Sequence, residues 1–320
     1  MKLSIIIPIY NVEPYITRCL DSIYNQPISD DIFEIICVND GSIDGSSNIV
    51  RQYQQNHNNI LLIEQNNQGV SVARNEGIKR ANGEIILFVD PDDKIEDLAL
   101  PKIIKDDEKG INADIVICNF LIKNRKEYKW DNLFQENQLY RSEYILNSGY
   151  LRGSVCGVCF NRNFILKHNI MFLPTIRNGE DTNFMLHAMY YTNRIRFSNI
   201  NVYHVIGRTE SASNLYSKDR IDRMIKSVRI ISDFIDILDH KEGEKVVLNY
   251  MQYISFSNLV NDSLKTEDVN FRYLINSHIC DVKKYKINPQ VQFLKWKMQL
   301  LYFSFPLFYF LCWIKSHKTK

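Results

Sequence analysis

The sequence predicts an α/β fold built on a parallel sheet with right-handed crossovers. Three observations lead there. Short continuous apolar runs recur at residues 3–7, 33–38, 60–63 and 84–89, the character of strands buried on both faces. Between them lie stretches with apolar residues at helical spacing, at 13–25, 46–56 and 70–81. Polar turns follow the first, second and fourth runs, at the strand ends where open α/β sheets bind ligands.

The first strand, 3–7, stops at Pro8. The helix over 13–25 carries Ile16, Cys19, Leu20 and Ile23 on one face. The strand over 33–38 runs into the turn Asn39-Asp40-Gly41-Ser42, and a helix over 46–56 leads to the strand at 60–63. Gly69 marks a turn. The next helix, 70–81, places Val70, Ala73, Gly77, Ile78 and Ala81 at helical spacing and is stopped by Asn82-Gly83. The strand at 84–89 then presents Asp90, Asp92 and Asp93. Hard oxygen ligands on a rigid support suit Mg²⁺ or Mn²⁺ bridging a diphosphate. The same acids also serve to cap a helix starting near Glu96. Tyr10 offers a ring to stack on a base and Asp40 an acceptor for a base N–H, while residues 39–42 also read as a plain turn. No G-x-G-x-x-G and no G-x-x-x-x-G-K-[ST] occurs.

Further on, 154–161 reads as a strand, 163–168 as a short helix and 182–191 as a helix with Phe184, Met185, Ala188 and Met189 towards a core. Glu180 and Asp181 fall at its N-terminus, where a helix stabilises acids. The strand at 201–206 carries His204 and leads to Gly207-Arg208. Beyond residue 216 the pattern is helical, at 219–238, 243–264 and 268–279. Residues 282–320 contain eight lysines and no Asp or Glu. Within them 298–314, MQLLYFSFPLFYFLCWI, is at the lower limit for a membrane span and is broken by Pro306. Its aromatics and flanking lysines suit an anionic membrane surface, and packing as a core helix is the alternative.

Composition bounds the rest. The 320 residues are 45% hydrophobic with a net charge of +2, so charge does not argue for nucleic acid. Seven scattered cysteines and an N-terminal apolar run too short for a signal peptide suggest a reducing cytoplasm. Cys156 and Cys159 make a C-x-x-C, either a redox pair or two buried small residues.

SIIIPIYNVEPYI, VNDGSIDGS, GVSVARNEGIKRANGEIILFVDPDD and NGEDTNF, in that order, resemble the inverting family-two glycosyltransferases of the GT-A fold, over about residues 3–210. The chain resembles the non-processive bacterial members that build surface polysaccharide repeat units. The Q-x-x-R-W motif of the processive synthases is absent. The resemblance implies a mixed, mostly parallel sheet flanked by helices, with a C-terminal helical extension. It implies that Pro8 and Tyr10 line the nucleotide base, with Glu13 near them, and that Asp40 contacts the base, with Asn39 where many members have Asp. It gives Arg74 to the donor site, Asp90 to the ribose and metal, Asp92 to a Mn²⁺ or Mg²⁺ cofactor, and Asp93 to the donor sugar. Asp181 matches the general base, and Glu180 would hydrogen-bond the acceptor or orient that base. His204 is a candidate third metal ligand or diphosphate neighbour, with a packed strand side chain as the alternative, and Arg208 a diphosphate or acceptor contact.

The expectation is thus a catalytic domain over 1–216 and a helical region over 217–320 with a membrane-associating tail from about 282. The implied function is metal-dependent inverting transfer from a nucleoside diphosphate sugar, of UDP class, to a glycan or lipid-linked sugar at the inner face of the plasma membrane. A homodimer stays open. A sugar-1-phosphate nucleotidyltransferase would need a Gly-rich basic loop after the first strand, which SIIIPIYN lacks. A non-catalytic scaffold would be expected to have lost Asp92 or Asp181, and both are present.

Overall fold

The computed structural model describes residues 1–110, 112–122, 126–128, 130, 134–176, 178–206, 216–239, 245–266, 269–277 and 296–318. The first half alternates as its apolar runs require: β1 (Leu3–Ile9), α1 (Glu13–Tyr24), β2 (Phe33–Asn39), α2 (Ser46–Asn56), β3 (Ile60–Glu64), α3 (Val70–Arg80) and β4 (Ile85–Phe88). Every residue of β1 and β4 is buried, since helices cover both faces of parallel strands. The second half adds β5 (Lys94–Ile95), α4 (Ala99–Asp107), β6 (Ile115–Ile122), β7 (Lys126–Tyr128), α5 (Ser142–Asn147), β8 (Val158–Asn161), α6 (Arg162–Lys167), α7 (Glu180–Tyr191) and β9 (Ile195–His204). Helices α8 (Lys218–Asp239), α9 (Lys245–Ser263), α10 (Phe271–Asn276), α11 (Trp296–Phe303) and α12 (Phe305–Lys318) follow.

One mixed sheet runs in the order β3-β2-β1-β4-β8-β6-β9-β5, with β7 paired to β6. The four strands of the first half are parallel, whereas β8 is antiparallel to both β4 and β6. From β1 the chain winds outward through β2 and β3, then returns to place β4 on the other side of β1. That reversal opens a crevice at the carboxyl ends of β1 and β4, where ligands enter such sheets. Strand β6 goes beyond the sequence-based reading, although its run IVIC has the same buried character. The strand expected over 154–161 begins only at Val158, and residues 154–157 are a loop ending at Gly157 with φ +71°. The helix expected from 182 starts at Glu180.

The main core extends past the sheet into the helical region. Ile231, Ile235 and Leu238 of α8 and Val247, Leu248 and Met251 of α9 belong to it. A second cluster joins Ile221, Met224 and Val228 of α8 to Phe256, Leu259 and Val260 of α9 and to Leu301, Phe305 and Phe308 of the tail. No helix among the described residues is long and apolar enough to cross a membrane. Pro306 sits in the first turn of α12, where its missing N–H costs nothing, and so splits the apolar run into two short helices. One side of the tail is packed. The other leaves Phe303, Leu307, Phe310 and Trp313 exposed.

Helix α3 lies close against β1 because Gly77 has no side chain. A Cβ there would sit 2.4 Å from Ile6 Cγ2, and Ile6 is fully buried and stiff at χ1. Gly77→Ala should therefore lower Tm, with overpacking of about 1–3 kcal/mol exceeding the roughly 1 kcal/mol gained in helix propensity. Thermal unfolding of the variant checks this, and an unchanged or raised Tm would show that the helix lifts off the sheet freely.

Candidate functional site

The loops after β1 and β2 are stitched together. Asn11 N donates to Ser42 Oγ at 3.0 Å, and Asn11 Oδ1 accepts from Ile43 N at 3.0 Å. Glu13 Oε2 accepts from Gly45 N at 2.7 Å, so this carboxylate braces the second loop. Pro8 is buried at the end of β1, and Tyr10 beside it is half exposed at the crevice. Asp40 is buried. It accepts from Gln65 Nε2, Gln68 N and Gly69 N at 2.7–2.8 Å, which fixes the loop that opens α3.

The three acids after β4 have different surroundings. Asp93 is buried: Oδ2 accepts from Tyr203 Oη at 2.7 Å and Oδ1 from Ile206 N at 2.8 Å. Tyr203 Oη in turn accepts from Asp90 N at 3.2 Å, so β9 clamps the acidic loop. Arg18 holds the carbonyl of Asp92 at 2.6 Å. Asp90 remains partly open to solvent, with Oδ2 accepting from Cys156 Sγ at 3.5 Å.

Arg74 links the two halves of the site. It is buried, with its guanidinium 5.2 Å from the Phe172 ring centroid. Its Nη2 donates to Asp90 Oδ1 at 2.9 Å and its Nη1 to Asp181 Oδ1 at 2.6 Å, with Glu180 Oε1 3.7 Å away. The other oxygen of Asp181 accepts from Val155 N at 3.3 Å and Ser154 Oγ at 3.4 Å. Gly179, at φ +82°, turns the chain so that Glu180 and Asp181 open α7 facing the carboxyl end of β4. Phe172, Ser154 and Tyr203 carried no motif in the sequence, and Cys156 only its C-x-x-C. They join the site through contacts between distant segments. Cys156 and Cys159 are buried free thiols, as the second reading of the C-x-x-C expected.

The structure does not bring His204 to Asp90 and Asp92. The pairing of β5 with β9 sets Lys94 opposite His204, and His204 Nδ1 lies 2.9 Å from Glu96 Oε1. Among the described residues no group of three or more His, Cys, Asp or Glu side chains is poised to hold a metal. A divalent ion bound with a diphosphate needs only one or two carboxylates from the protein, so Asp90 and Asp92 fit that chemistry as a pair. Arg208 lies outside the described residues.

A model of the family described as Glycosyl transferase family 2 matches residues 4–168. The chain belongs to this family. It is 32% identical over 222 residues to EpsH of Bacillus subtilis (strain 168), named as a glycosyltransferase, covering 67% of this chain and 63% of that protein. It is 31% identical over 291 residues to the poly(ribitol-phosphate) beta-glucosyltransferase of Bacillus spizizenii, covering 86% and 44%. The match thus spans less than two thirds of these relatives' own length. In fold it is similar to S. aureus TarS 1–349 in complex with UDP-GlcNAc, with a TM-score of 0.76 and 23% identity over 100% of this chain and 93% of that one.

In this family 2 chain both acids of the pair are held above their usual range. Burial pushes Asp181 up, Arg74 opposes that, and Asp90 adds to it. Burial, then the charge of Asp181, holds Glu180 up at about 7, against the pull of Arg74. Burial alone would lower Arg74, but Asp181 and Asp90 outweigh it and hold the guanidinium charged. Glu180 keeps a proton in the folded chain that the unfolded chain loses above about 4.5, so its contribution is unfavourable and grows as pH rises towards about 7. Glu180→Gln should therefore stabilise the protein at pH 8, by about 1–3 kcal/mol, and the gain should shrink towards pH 5. Paired melts at the two pH values measure it. A difference that does not change with pH would place Glu180 in water instead.

Proposed function

We propose that the protein is a glycosyltransferase that moves a sugar, with inversion, from a UDP-sugar to a hydroxyl of a glycan or lipid-linked acceptor in cell-surface polymer synthesis. The observation that carries this reading is the buried Arg74 bridging Asp90, at the sheet's switch point, to Asp181 at the start of α7. Donor and acceptor chemistry then meet at one cation. In this reading the nucleotide lies along Pro8, Tyr10, Glu13 and Asp40, and Asp90, Asp92 and Asp93 frame the ribose, diphosphate and sugar. Asp90 and Asp92 would hold Mn²⁺ or Mg²⁺, which neutralises charge on the leaving diphosphate. Residues 1–216 would be the catalytic unit and 217–320 a helical C-terminal region, of which α8 and α9 share the main core.

The reaction is one displacement. The acceptor oxygen bonds to the anomeric carbon as the bond from that carbon to the diphosphate oxygen breaks. The bonding pair leaves with the diphosphate, and the acceptor's proton passes to Asp181. Arg74 stabilises the developing charge. A diphosphate also shares the guanidinium, which loosens its hold on Asp181. Donor binding thereby raises the basicity of Asp181 at the moment a base is needed.

Nucleotide release from a panel of UDP-sugars with acceptor is the test. Asp181→Asn should lower turnover by roughly 10²–10⁴, the usual worth of a general base, with UDP affinity by calorimetry nearly unchanged. Chelation should stop turnover and Mn²⁺ or Mg²⁺ restore it. Wild-type turnover by Asp181→Asn sinks the assignment of the base, and full turnover in excess chelator sinks the metal.

We further propose that the exposed side of α11 and α12 rests on the cytoplasmic leaflet, where lysines add attraction of about 1 kcal/mol each. Phe303, Phe310 and Trp313 would enter the interface while the opposite face stays packed. The full chain should pellet with phosphatidylglycerol vesicles at low salt, and changing the three aromatics to Ser should release it. A wild-type chain left in the supernatant removes the membrane from the account.

A further inference from the structure

Arg74 takes one oxygen from each of the two acids it bridges, Oδ1 of Asp90 and Oδ1 of Asp181. The other two oxygens meet a second holder, the loop 152–157 that leads into β8. Val155 N and Ser154 Oγ donate to Asp181 Oδ2 at 3.3 and 3.4 Å. Cys156 Sγ donates to Asp90 Oδ2 at 3.5 Å. Each carboxylate therefore lies between a charged donor on one oxygen and neutral donors on the other.

The loop is itself braced. Cys156 N donates to Ser154 Oγ at 3.1 Å, so this hydroxyl accepts from its own loop while it donates to Asp181. Thr182 Oγ1, one residue past Asp181, donates to Gly153 O at 3.0 Å and ties the start of α7 to the loop. Arg152 lies behind. It is buried, with its guanidinium 4.0 Å from the Phe120 ring centroid. It donates to Cys156 O and, at 3.4 Å, to Cys118 O in β6. A buried cation is costly unless such bonds meet it, so the loop is pinned where Arg152 finds its carbonyls. Gly157, at φ +71°, leaves room for this: a Cβ there would stand 2.9 Å from Arg152 Nη2.

We propose that Ser154, with Arg152 behind it, is a positioning residue for the reaction: the loop 152–157 keeps Asp181 aimed, and Asp90 in place, while the donor's diphosphate shares Arg74. This rests on the transferase reading above. When the guanidinium turns to phosphate oxygens, its contacts to both acids weaken. The contacts on the other oxygens need no cation and persist. Neutral donors hold a carboxylate about half as strongly as charged ones, so they fix its direction and leave it more basic. Ser154 and Arg152 thus act through Asp181.

The test is a double-mutant cycle on the full chain, read by steady-state turnover of a UDP-sugar and by UDP affinity in calorimetry. Ser154→Ala should lower kcat about tenfold, the worth of one hydrogen bond to a charged group, with UDP affinity and acceptor KM nearly unchanged. Ser154→Thr keeps the hydroxyl and should return kcat towards wild type. In the Asp181→Asn background Ser154→Ala should leave kcat nearly unchanged, because the group it aims no longer takes a proton. Arg152→Met, which keeps an apolar side chain on Phe120, should follow the same pattern. Should Arg152→Met fail to fold, the Ser154 cycle decides. A loss on Ser154→Ala that is absent, or equal in both backgrounds, overturns the proposal and leaves the transferase reading standing. A wild-type chain that turns over no UDP-sugar overturns both.

Discussion

The site depends on one buried positive charge. Arg74 contacts Asp90 and Asp181, with Glu180 close by, and the four come from three segments: α3, the turn after β4 and the start of α7. Three carboxylates drawn together repel one another and lose hydration. A guanidinium among them offsets both effects only if its own desolvation is met by close, well-directed hydrogen bonds. The observed contacts at 2.6 and 2.9 Å supply these, and the Phe172 ring beneath adds a cation–π contact. Removing Arg74 would leave buried acids with no counter-charge, so the residue organises the cluster.

The surrounding fold is built to hold that arrangement still. The acids of the Asp90-Pro-Asp-Asp run divide the work. Asp93 is tied to Tyr203 and Ile206 and anchors the loop to β9, while Asp90 stays partly exposed at the crevice. Asp40 likewise gives three of its acceptor positions to the loop before α3, the helix that carries Arg74. Acidic residues next to a ligand crevice thus serve as hinge pins for the backbone, and the crevice is shaped before any ligand arrives.

The helical region is continuous with this machinery. Helices α8 and α9 share the main core. The tail packs Leu301, Phe305 and Phe308 inward and turns Phe303, Phe310 and Trp313 outward. Pro306 makes this two-faced packing possible, because it divides the apolar run into two helices that bend over the cluster.

The sequence by itself determined the alternation of strands and helices, the acids at the ends of β2 and β4, and the acidic pair at the start of α7. These rest on local physics: apolar periodicity, strand-end turns and helix termini are written in consecutive residues. The order of the four motifs also carried the family. Only the tertiary structure decided which acids meet. His204 lies beside Glu96 because β5 and β9 pair, a register no local pattern encodes. Cys156, Ser154 and Tyr203 enter the site through the antiparallel insertion of β8 and the parallel pairing of β6 with β9. Strand β6 had the apolar run of a buried strand, but its place beside β8 depends on long-range pairing. The contacts of Arg74 span 16 residues to Asp90 and 107 to Asp181, and the second distance is closed only by the folded sheet.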